Sequence, residues 1–279
     1  MKLPENITSH FVEVHDRKLH YLSAGSGEPI LLLHGWPTSA YLWRNVMGPM
    51  SETHQVIALD LPGFGKSSKV PADSFSYTYH ERMLEGFLDE LGINKTGLVV
   101  HDLGGPIGIF WALRHPEKLS RLALLNTLVY PEFSRMVKLF VAASIVPGVR
   151  RWLSSRSGIT WAMRFGVYNK ANITQEVADN YTRPFDTWEA RQALLKSASR
   201  LSPKGFKEIT EKLPSLESPV RLIYGENDRI LPNVGITMER VKQDVPHAEL
   251  TSLPNCGHFL QEDEPEQIGR LLAEFFAAH

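Results

Sequence analysis

The segment LVVHDLGGPIGIFWAL, from Leu98 to Leu113, contains the pattern that decides the fold. Its first apolar residues are typical of a strand that is buried on both faces. Asp102 follows, and Gly104 and Gly105 then begin a helix-like stretch, so the pattern predicts a strand, a sharp turn that presents Asp102, and a closely packed helix. Taken by itself, the segment has a simpler interpretation, in which Asp102 only caps the helix N-terminus.

Continuous apolar runs recur at Ile30–Leu33, Val56–Leu59, Leu98–Val100, Leu122–Leu125 and Val220–Tyr224. They predict strands buried on both faces, as in a parallel sheet with helices on either side. Two segments near the N-terminus, His10–Val14 and Lys18–Ser23, alternate apolar and polar residues. They predict an antiparallel hairpin with one solvent-exposed face. We therefore expect an α/β fold with a mostly parallel central sheet flanked by helices.

A long interval between Asn126 and Pro219 contains no such run, although βα units normally repeat much faster. Helical spacing and large aromatic residues occur at Phe133–Ser144, Val149–Phe165, Ile173–Tyr181 and Trp188–Leu201. We predict a helical cap inserted after the sixth strand, over the carboxyl edge of the sheet. The predicted domains are residues 1–128 and 214–279 for the core, and residues 129–213 for the cap.

The sequence HGWP, from His34 to Pro37, follows the first of the buried runs. At this place, the backbone N–H groups of Trp36 and Leu103 would together bind negative charge that develops beside Asp102. His34 and Pro37 also have a simpler interpretation as residues that shape a turn. Both interpretations can hold at once.

Two further loops supply an acid and a histidine. The sequence YGENDRILP places Asp228 directly after a buried strand, and NCGHFLQED places His258 just before the C-terminal helix. The order nucleophile, acid, histidine is that of the α/β-hydrolase triad. This order favours Asp102 as the nucleophile over Asp102 as a cap, with His258 as the base and Asp228 as the residue that orients it.

An aspartate nucleophile selects the kind of bond that is cleaved. Against a carboxylic ester or amide, Asp102 would form a mixed anhydride, and serine is the better nucleophile there. Against a saturated carbon with a leaving group, a carboxylate forms an ordinary alkyl-enzyme ester, which water activated by His258 then hydrolyses. Carbon–halogen bonds and the strained carbon–oxygen bonds of epoxides are the expected targets.

The chain resembles the haloalkane dehalogenase and epoxide hydrolase branch of the α/β-hydrolase superfamily. The resemblance lies in HGWPTSAYLWRN (residues 34–45), DLPGFGKSSK (60–69), VVHDLGGPIG (99–108), YGENDRILP (224–232) and NCGHFLQEDEPEQIG (255–269). It implies Asp102 as nucleophile, His258 as base and Asp228 as acid. Some dehalogenases place the acid where this chain has Asn126, so Asp228 keeps that role, with Glu132 as a distant reserve.

The chain departs from the dehalogenase pattern at the halide-binding positions. Dehalogenases commonly have asparagine where this chain has Trp36, and tryptophan where it has Leu103. The resemblance leaves the indole N–H of Trp36 as one donor to the leaving group, and Trp152, Trp161 or Trp188 of the cap as a second. The leading hypothesis is a dehalogenase-like hydrolase.

Epoxide hydrolase is the alternative, and it requires acidic hydroxyls, usually of two cap tyrosines, to protonate the epoxide oxygen. Tyr130, Tyr168 and Tyr181 are the candidates, although each has a simpler interpretation as a packing residue. These tyrosines, with Trp161 and Trp188, form the predicted substrate-binding set. A binding protein that kept the fold without turnover is the second alternative.

Composition argues against several other functions. The formal net charge is −1 and no basic run is longer than Arg150-Arg151, so no nucleic-acid partner is expected. No histidines have metal-ligand spacing, and the GKS at residues 65–67 lacks the earlier glycine of a P-loop, so neither a metal nor a cofactor is expected. We expect a monomer or homodimer that acts on a small apolar organic substrate.

A cytoplasmic location is expected from two features. The single cysteine, Cys256, excludes an intramolecular disulfide, and the N-terminal residues show no apolar stretch of a secretory signal. The most apolar stretch, Leu139–Val146, is too short to span a bilayer, so no membrane partner is expected.

Overall fold

The computed structural model describes residues 3–70, 74–197 and 202–278. Its centre is an eight-stranded sheet with the order β1-β2-β4-β3-β5-β6-β7-β8. The strands are β1 (Thr8–Val14), β2 (Arg17–Ala24), β3 (Pro29–Leu33), β4 (Gln55–Leu59), β5 (Thr96–Asp102), β6 (Leu119–Thr127), β7 (Val220–Gly225) and β8 (Glu249–Leu253). Every apolar run predicted as a strand lies in this sheet. The prediction missed β8, which is largely half-exposed.

Strand direction brings the candidate loops to one edge of the sheet. β1 pairs with β2 and β2 with β4 in antiparallel fashion, which confirms the predicted hairpin. The remaining pairs, β4–β3, β3–β5, β5–β6, β6–β7 and β7–β8, are parallel. Because the carboxyl ends of parallel strands meet at the same edge, the loops after β3, β5, β6, β7 and β8 converge there.

Helices cover both faces of the sheet, as predicted. The core helices are α1 (Met47–Ser51), α2 (Tyr77–Glu90), α3 (Gly104–Arg114), α10 (Val234–Asp244), α11 (Leu260–Asp263) and α12 (Pro265–Ala277). Phe276 of α12 packs against Gly97 of β5, whereas Gly108 of α3 packs against Leu98 and Val100. Successive residues of a strand point to opposite faces, so α3 and α12 lie on opposite sides of the sheet.

A helical insertion follows β6, as predicted. Its helices in the described residues are α4 (Arg135–Ile145), α5 (Pro147–Leu153), α6 (Arg156–Gly166), α7 (Gln175–Thr182) and α8 (Trp188–Ser197), and α9 (Pro203–Lys212) comes next. The predicted segment Val149–Phe165 is two helices, because the hydroxyl of Ser155 accepts a hydrogen bond from Gly158 N and begins α6. Residues 198–201 of the predicted Trp188–Leu201 segment lie outside the described residues.

Helix α9 packs on the core. Arg114 of α3 donates a hydrogen bond to Glu208 of α9 at 3.1 Å, and the Phe206 ring meets Tyr77 of α2 edge-on. This packing favours a cap that ends before residue 203 instead of at residue 213. The domain boundaries themselves stay a prediction.

Among the described residues, no helix is both long and apolar enough to cross a membrane. The cytoplasmic location and the oligomeric state stay predictions.

A buried ion pair joins the cap to the core. Arg44 donates to the two carboxylate oxygens of Glu262 at 2.6 and 2.8 Å. Tyr181 of α7 donates its hydroxyl to the same carboxylate, and its ring meets Tyr41 edge-on. All four side chains are buried. Glu262 belongs to α11, which begins two residues after His258, so the cap is fixed beside the histidine loop.

We predict that Glu262→Gln lowers the free energy of unfolding by about 3 kcal/mol, because the Arg44 guanidinium stays buried without its countercharge. Urea unfolding at neutral pH measures this difference. The control is Asp186→Asn, which breaks a bidentate pair of the same kind with Arg156 on the surface. If the two variants lose equal stability, the Arg44–Glu262 pair is not a main link between cap and core.

Candidate active site

The turn after β5 forces Asp102 into a conformation that aims its carboxylate away from the sheet. Asp102 has φ +49°, in the left-handed region. A Cβ atom on Gly104 would lie 2.5 Å from the His34 carbonyl, and one on Gly105 would lie 1.5 Å from Thr127 Oγ1. The Thr127 hydroxyl donates to the Asp102 carbonyl at 2.7 Å. This strained strand-to-helix turn has the form of a nucleophile elbow.

The HGWP loop reaches the carboxylate from β3. The backbone N–H of Trp36 donates to Asp102 Oδ1 at 2.7 Å. This approach requires glycine at position 35, since a Cβ on Gly35 would lie 2.2 Å from the same oxygen. His34 donates from Nδ1 to the Gly35 carbonyl and accepts from Leu61 N at Nε2, so it braces the turn. The predicted interpretation of His34 as a turn residue is confirmed.

His258 lies between Asp228 and Asp102. Its Nδ1 donates to Asp228 Oδ2 at 2.8 Å, and its Nε2 lies 3.4 Å from Asp102 Oδ2. The other oxygen of Asp228 accepts hydrogen bonds from the backbone of Ile230 and Leu231 at 2.8 and 2.7 Å. The loops after β5, β7 and β8 thus bring together the three residues predicted from the sequence.

Asn126 is a site residue whose role the sequence did not reveal. It lies near the end of β6, at the same edge of the sheet as Asp102, and its φ is +32°. Its amide donates to Asp228 Oδ2 at 2.8 Å and to the Gly257 carbonyl at 3.1 Å, and it accepts from Gly225 N. It therefore fixes the acid and the histidine loop together. Glu132, the reserve acid, instead pairs with an arginine of α10 on the surface.

The charges of this site are coupled. Burial by itself lowers the pKa of His258, but the carboxylates of Asp228 and Asp102 outweigh it and raise that pKa to about 10. Burial raises the pKa of Asp102, yet the facing His258 holds it below its usual value. These opposite shifts favour a carboxylate at Asp102 opposite an imidazolium at His258. Burial lowers the pKa of the neighbouring His101 to about 3, so this ring stays neutral.

An apolar cavity of about 260 Å³ opens at Asp102. Its lining comes from the elbow, from α4 to α6 and from the loop after β7, and includes Leu103, Phe140, Trp161 and Ile230. Among the described lining residues, Asp102 alone is ionisable. The site is thus suited to an apolar molecule whose reactive atom meets the carboxylate.

The predicted cap tyrosines lie elsewhere, which corrects their assignment as substrate-binding residues. Tyr130 donates its hydroxyl to Asp244 at 2.6 Å, and Tyr181 donates to Glu262. Burial first, and then these carboxylates, raise the pKa of both tyrosines above the usual value of 10. Tyr168 is exposed and does not line the cavity. Periodicity could not exclude these residues, because their partners are distant in sequence.

The tryptophans divide into two groups. Trp161 and Trp152 line the cavity, whereas Trp188 lies outside it, beside two arginine side chains of α5. The indole N–H of Trp36 donates to the Leu194 carbonyl at 3.2 Å. The expectation that this indole binds the leaving group is therefore wrong, because a cap carbonyl occupies the donor.

A family model for the alpha/beta hydrolase fold matches residues 28–265, a range that contains all of these loops. The chain belongs to the α/β-hydrolase fold family. Among curated proteins, this α/β hydrolase is 32% identical to an uncharacterized hydrolase of Bacillus subtilis, with 92% of each chain covered. It is 30% identical to a cis-3-alkyl-4-alkyloxetan-2-one decarboxylase of Shewanella oneidensis, over 93% of this chain and 85% of that one. It is 29% identical to a haloalkane dehalogenase of Psychrobacter cryohalolentis, over 98% and 94%.

Solved structures of a haloalkane dehalogenase and an epoxide hydrolase are also similar to this chain. The haloalkane dehalogenase DbeA of Bradyrhizobium elkani superposes with a TM-score of 0.86 at 26% identity, covering 97% of this chain and 98% of that one. The epoxide hydrolase CorEH superposes with a TM-score of 0.79 at 26% identity, covering 97% and 99%. The resemblance to dehalogenases and epoxide hydrolases inferred from the motifs is confirmed.

In this α/β hydrolase we predict that Asp102→Asn lowers the pKa of His258, because one of the two carboxylates that raise it is lost. Titration of the His258 ring by NMR measures the shift. Glu132→Gln is the control and leaves that pKa unchanged, since Glu132 lies away from the site. An unaltered His258 pKa in Asp102→Asn would contradict the charge coupling.

Proposed function

We propose that the chain is a hydrolase with an aspartate nucleophile, which displaces a leaving group from a saturated carbon of an apolar substrate. One observation supports this most strongly: the elbow presents a carboxylate with one oxygen bound by Trp36 N–H and the other beside His258 and the cavity. The same place in a serine enzyme holds a hydroxyl. The relatives named as dehalogenase and epoxide hydrolase support the same class.

The first step uses the carboxylate alone. Asp102 Oδ2 attacks the substrate carbon, the bond from carbon to the leaving group breaks, and the leaving group departs as an anion with the bonding electron pair. An alkyl ester of Asp102 results. The carbonyl oxygen of that ester is Oδ1, which already accepts the hydrogen bond from Trp36 N–H.

The second step requires His258. Water attacks the ester carbon and gives a proton to Nε2, while Trp36 N–H and the Leu103 N–H stabilise the oxyanion that forms on Oδ1. The intermediate collapses, the product alcohol takes up a proton, and Asp102 returns as a carboxylate with an oxygen from water. The overall reaction consumes one water and releases the alcohol, the anion and one proton.

Ester formation itself changes the state of the base. In the resting site the two facing carboxylates raise the pKa of His258 and favour an imidazolium. The ester at Asp102 has no charge, so the pKa of His258 falls and the ring releases its extra proton to solvent, which is the one proton of the overall reaction. A base thus becomes available when the ester has formed. Asp228, held by Asn126, keeps the ring oriented during both steps.

An alkyl halide is the first substrate class that we propose. With the Trp36 indole bonded to Leu194 and with leucine at position 103, the side-chain donors left at the cavity are the indoles of Trp152 and Trp161. Bromide and iodide need less hydrogen bonding than chloride to depart. We therefore expect brominated and iodinated alkanes to react faster than their chlorinated counterparts.

A strained lactone is a second candidate. The described lining of the cavity has no charged donor to stabilise a departing anion, and a lactone that loses CO₂ releases no anion. The Shewanella oneidensis relative is named for an oxetan-2-one, a four-membered lactone. Attack of Asp102 on the saturated ring carbon that is bonded to the ring oxygen breaks that carbon–oxygen bond, opens the ring and leaves a carboxylate. An apolar cavity stabilises that carboxylate poorly. Its loss as CO₂, with cleavage of the ester bond to Asp102, forms an alkene and restores the enzyme.

Epoxide hydrolysis ranks below both candidates. It requires a proton donor for the epoxide oxygen, and Tyr130, Tyr168 and Tyr181 all lie outside the cavity. The hypothesis of a silent binding protein also ranks lower, because Asp102, His258 and Asp228 have a complete contact geometry.

We predict halide release from bromoalkanes and iodoalkanes, and a loss of about a thousandfold or more in Asp102→Asn, which lacks the nucleophile. The measurement compares halide, diol and alkene formation on matched haloalkanes, terminal epoxides and cis-3,4-dialkyl oxetan-2-ones. Alkene formation without halide release would establish the second candidate. Diol formation alone would reject both, and saturable binding without any product would support the silent binding protein.

We predict that His258→Ala forms the alkyl ester and then stops, because displacement needs only Asp102 whereas hydrolysis needs the base. Intact-protein mass spectrometry with a bromoalkane should show a mass increase equal to the alkyl group. The control is the double variant Asp102→Asn/His258→Ala, which should show no increase. If no adduct forms in His258→Ala with a substrate that the wild type turns over, the two-step mechanism is rejected.

A further inference from the structure

The cap has an unusually apolar outer surface around the opening of the cavity. Of the eleven large apolar side chains that are exposed in the described residues, eight lie between residues 136 and 168, on or beside α4, α5 and α6. The most exposed are Ile145 at 69% and Leu139 at 63%. Leu139, Trp152 and Trp161 also line the cavity, so this surface, called here the cap surface, is continuous with the substrate site. An exposed apolar patch of this kind marks an interaction site.

The charge of the cap surface has one sign. The stretch from Phe133 to Gln175 contains seven basic residues and no acidic residue, in a chain whose net charge is −1. Six of them have no carboxylate partner among the described residues, and the exception is Arg156, which pairs with Asp186. The cap surface therefore combines exposed apolar side chains with unneutralised positive charge.

Three of the basic residues lie beside exposed apolar side chains of the cap. A solvent-open groove next to Trp161 is lined by Arg164 and Lys170, and another next to Ile145 is lined by Arg150. Exposed apolar side chains with arginine and lysine next to them match a bilayer surface, where anionic headgroups lie above the acyl chains.

We infer that the cap surface docks onto the surface of an anionic lipid bilayer, with the opening of the cavity turned towards the lipid. Charge complementarity selects this occupant. A second copy of the chain would bring an equally basic cap surface against the first, and the two would repel. An apolar substrate dissolved in the membrane would then reach Asp102 without crossing water.

This inference goes beyond the proposed function, because binding to lipid is measured without any turnover. It differs from the expectation from the sequence that the chain has no membrane partner, which rested on the lack of a spanning segment. Spanning a membrane requires a long apolar segment, whereas docking at its surface requires only exposed side chains of the folded cap.

The test is sedimentation of the full chain with vesicles made of one part phosphatidylglycerol and two parts phosphatidylcholine. We expect binding to these vesicles, weak binding to pure phosphatidylcholine, and loss of binding at high salt, because salt screens the charge attraction. Arg151→Glu should weaken binding by roughly tenfold or more, whereas Lys95→Glu, at the opposite edge of the sheet, should not change it.

The apolar part is tested with a matched pair of isoleucines. Ile145→Asp in the cap surface should reduce binding by roughly tenfold, whereas Ile236→Asp on α10 should leave it unchanged. The two side chains are 69% and 73% exposed, so any effect on folding is similar, and thermal unfolding checks this. Equal loss in both variants, or no binding of the wild type to anionic vesicles, overturns the inference. A wild-type dimer in size-exclusion chromatography that Ile145→Asp dissociates also overturns it, and assigns the surface to a second copy.

Discussion

The position of the His258 ring between two carboxylates is the constraint on which the rest of the site depends. His258 contacts Asp228 at 2.8 Å and Asp102 at 3.4 Å, and its ring is fully buried. Three loops that are far apart in the chain must meet at one edge of the sheet for this arrangement to exist, and parallel strands supply that edge. The strained φ of Asp102 and the close approach of Gly35 follow from the same requirement, because the carboxylate must face both the histidine and Trp36 N–H.

The sequence predicted the fold and the central residues well because both depend on local patterns. Strands buried on both faces appear as continuous apolar runs, and this is why β3 to β7 were found and the half-exposed β8 was not. Asp102, Asp228 and His258 each follow a recognisable motif. Asn126 has no such motif, since its function comes from contacts with Asp228 and Gly257, more than a hundred residues away.

The cap was predicted as helical, but its residues could not be assigned to the cavity. Helical periodicity identifies an apolar stripe and does not determine what covers it. Tyr181 and Tyr130 find their acceptors 81 and 114 residues further along the chain, and the indole of Trp36 finds a carbonyl 158 residues away. These long-range contacts removed three candidate donors from the site. Trp152 and Trp161 line the cavity and are also 45% and 48% exposed.

The link between Arg44, Glu262 and Tyr181 fixes α7 of the cap beside the histidine loop. Glu262 lies four residues after His258, so a hinge that lifted α7 away would displace the base and expose a buried charge pair. Substrate exchange by opening of the whole cap is therefore costly. The end of α6 is held at the same loop, because His258 N donates a hydrogen bond to the Gly166 carbonyl at 2.6 Å, so the cap cannot lift as a unit without moving the histidine.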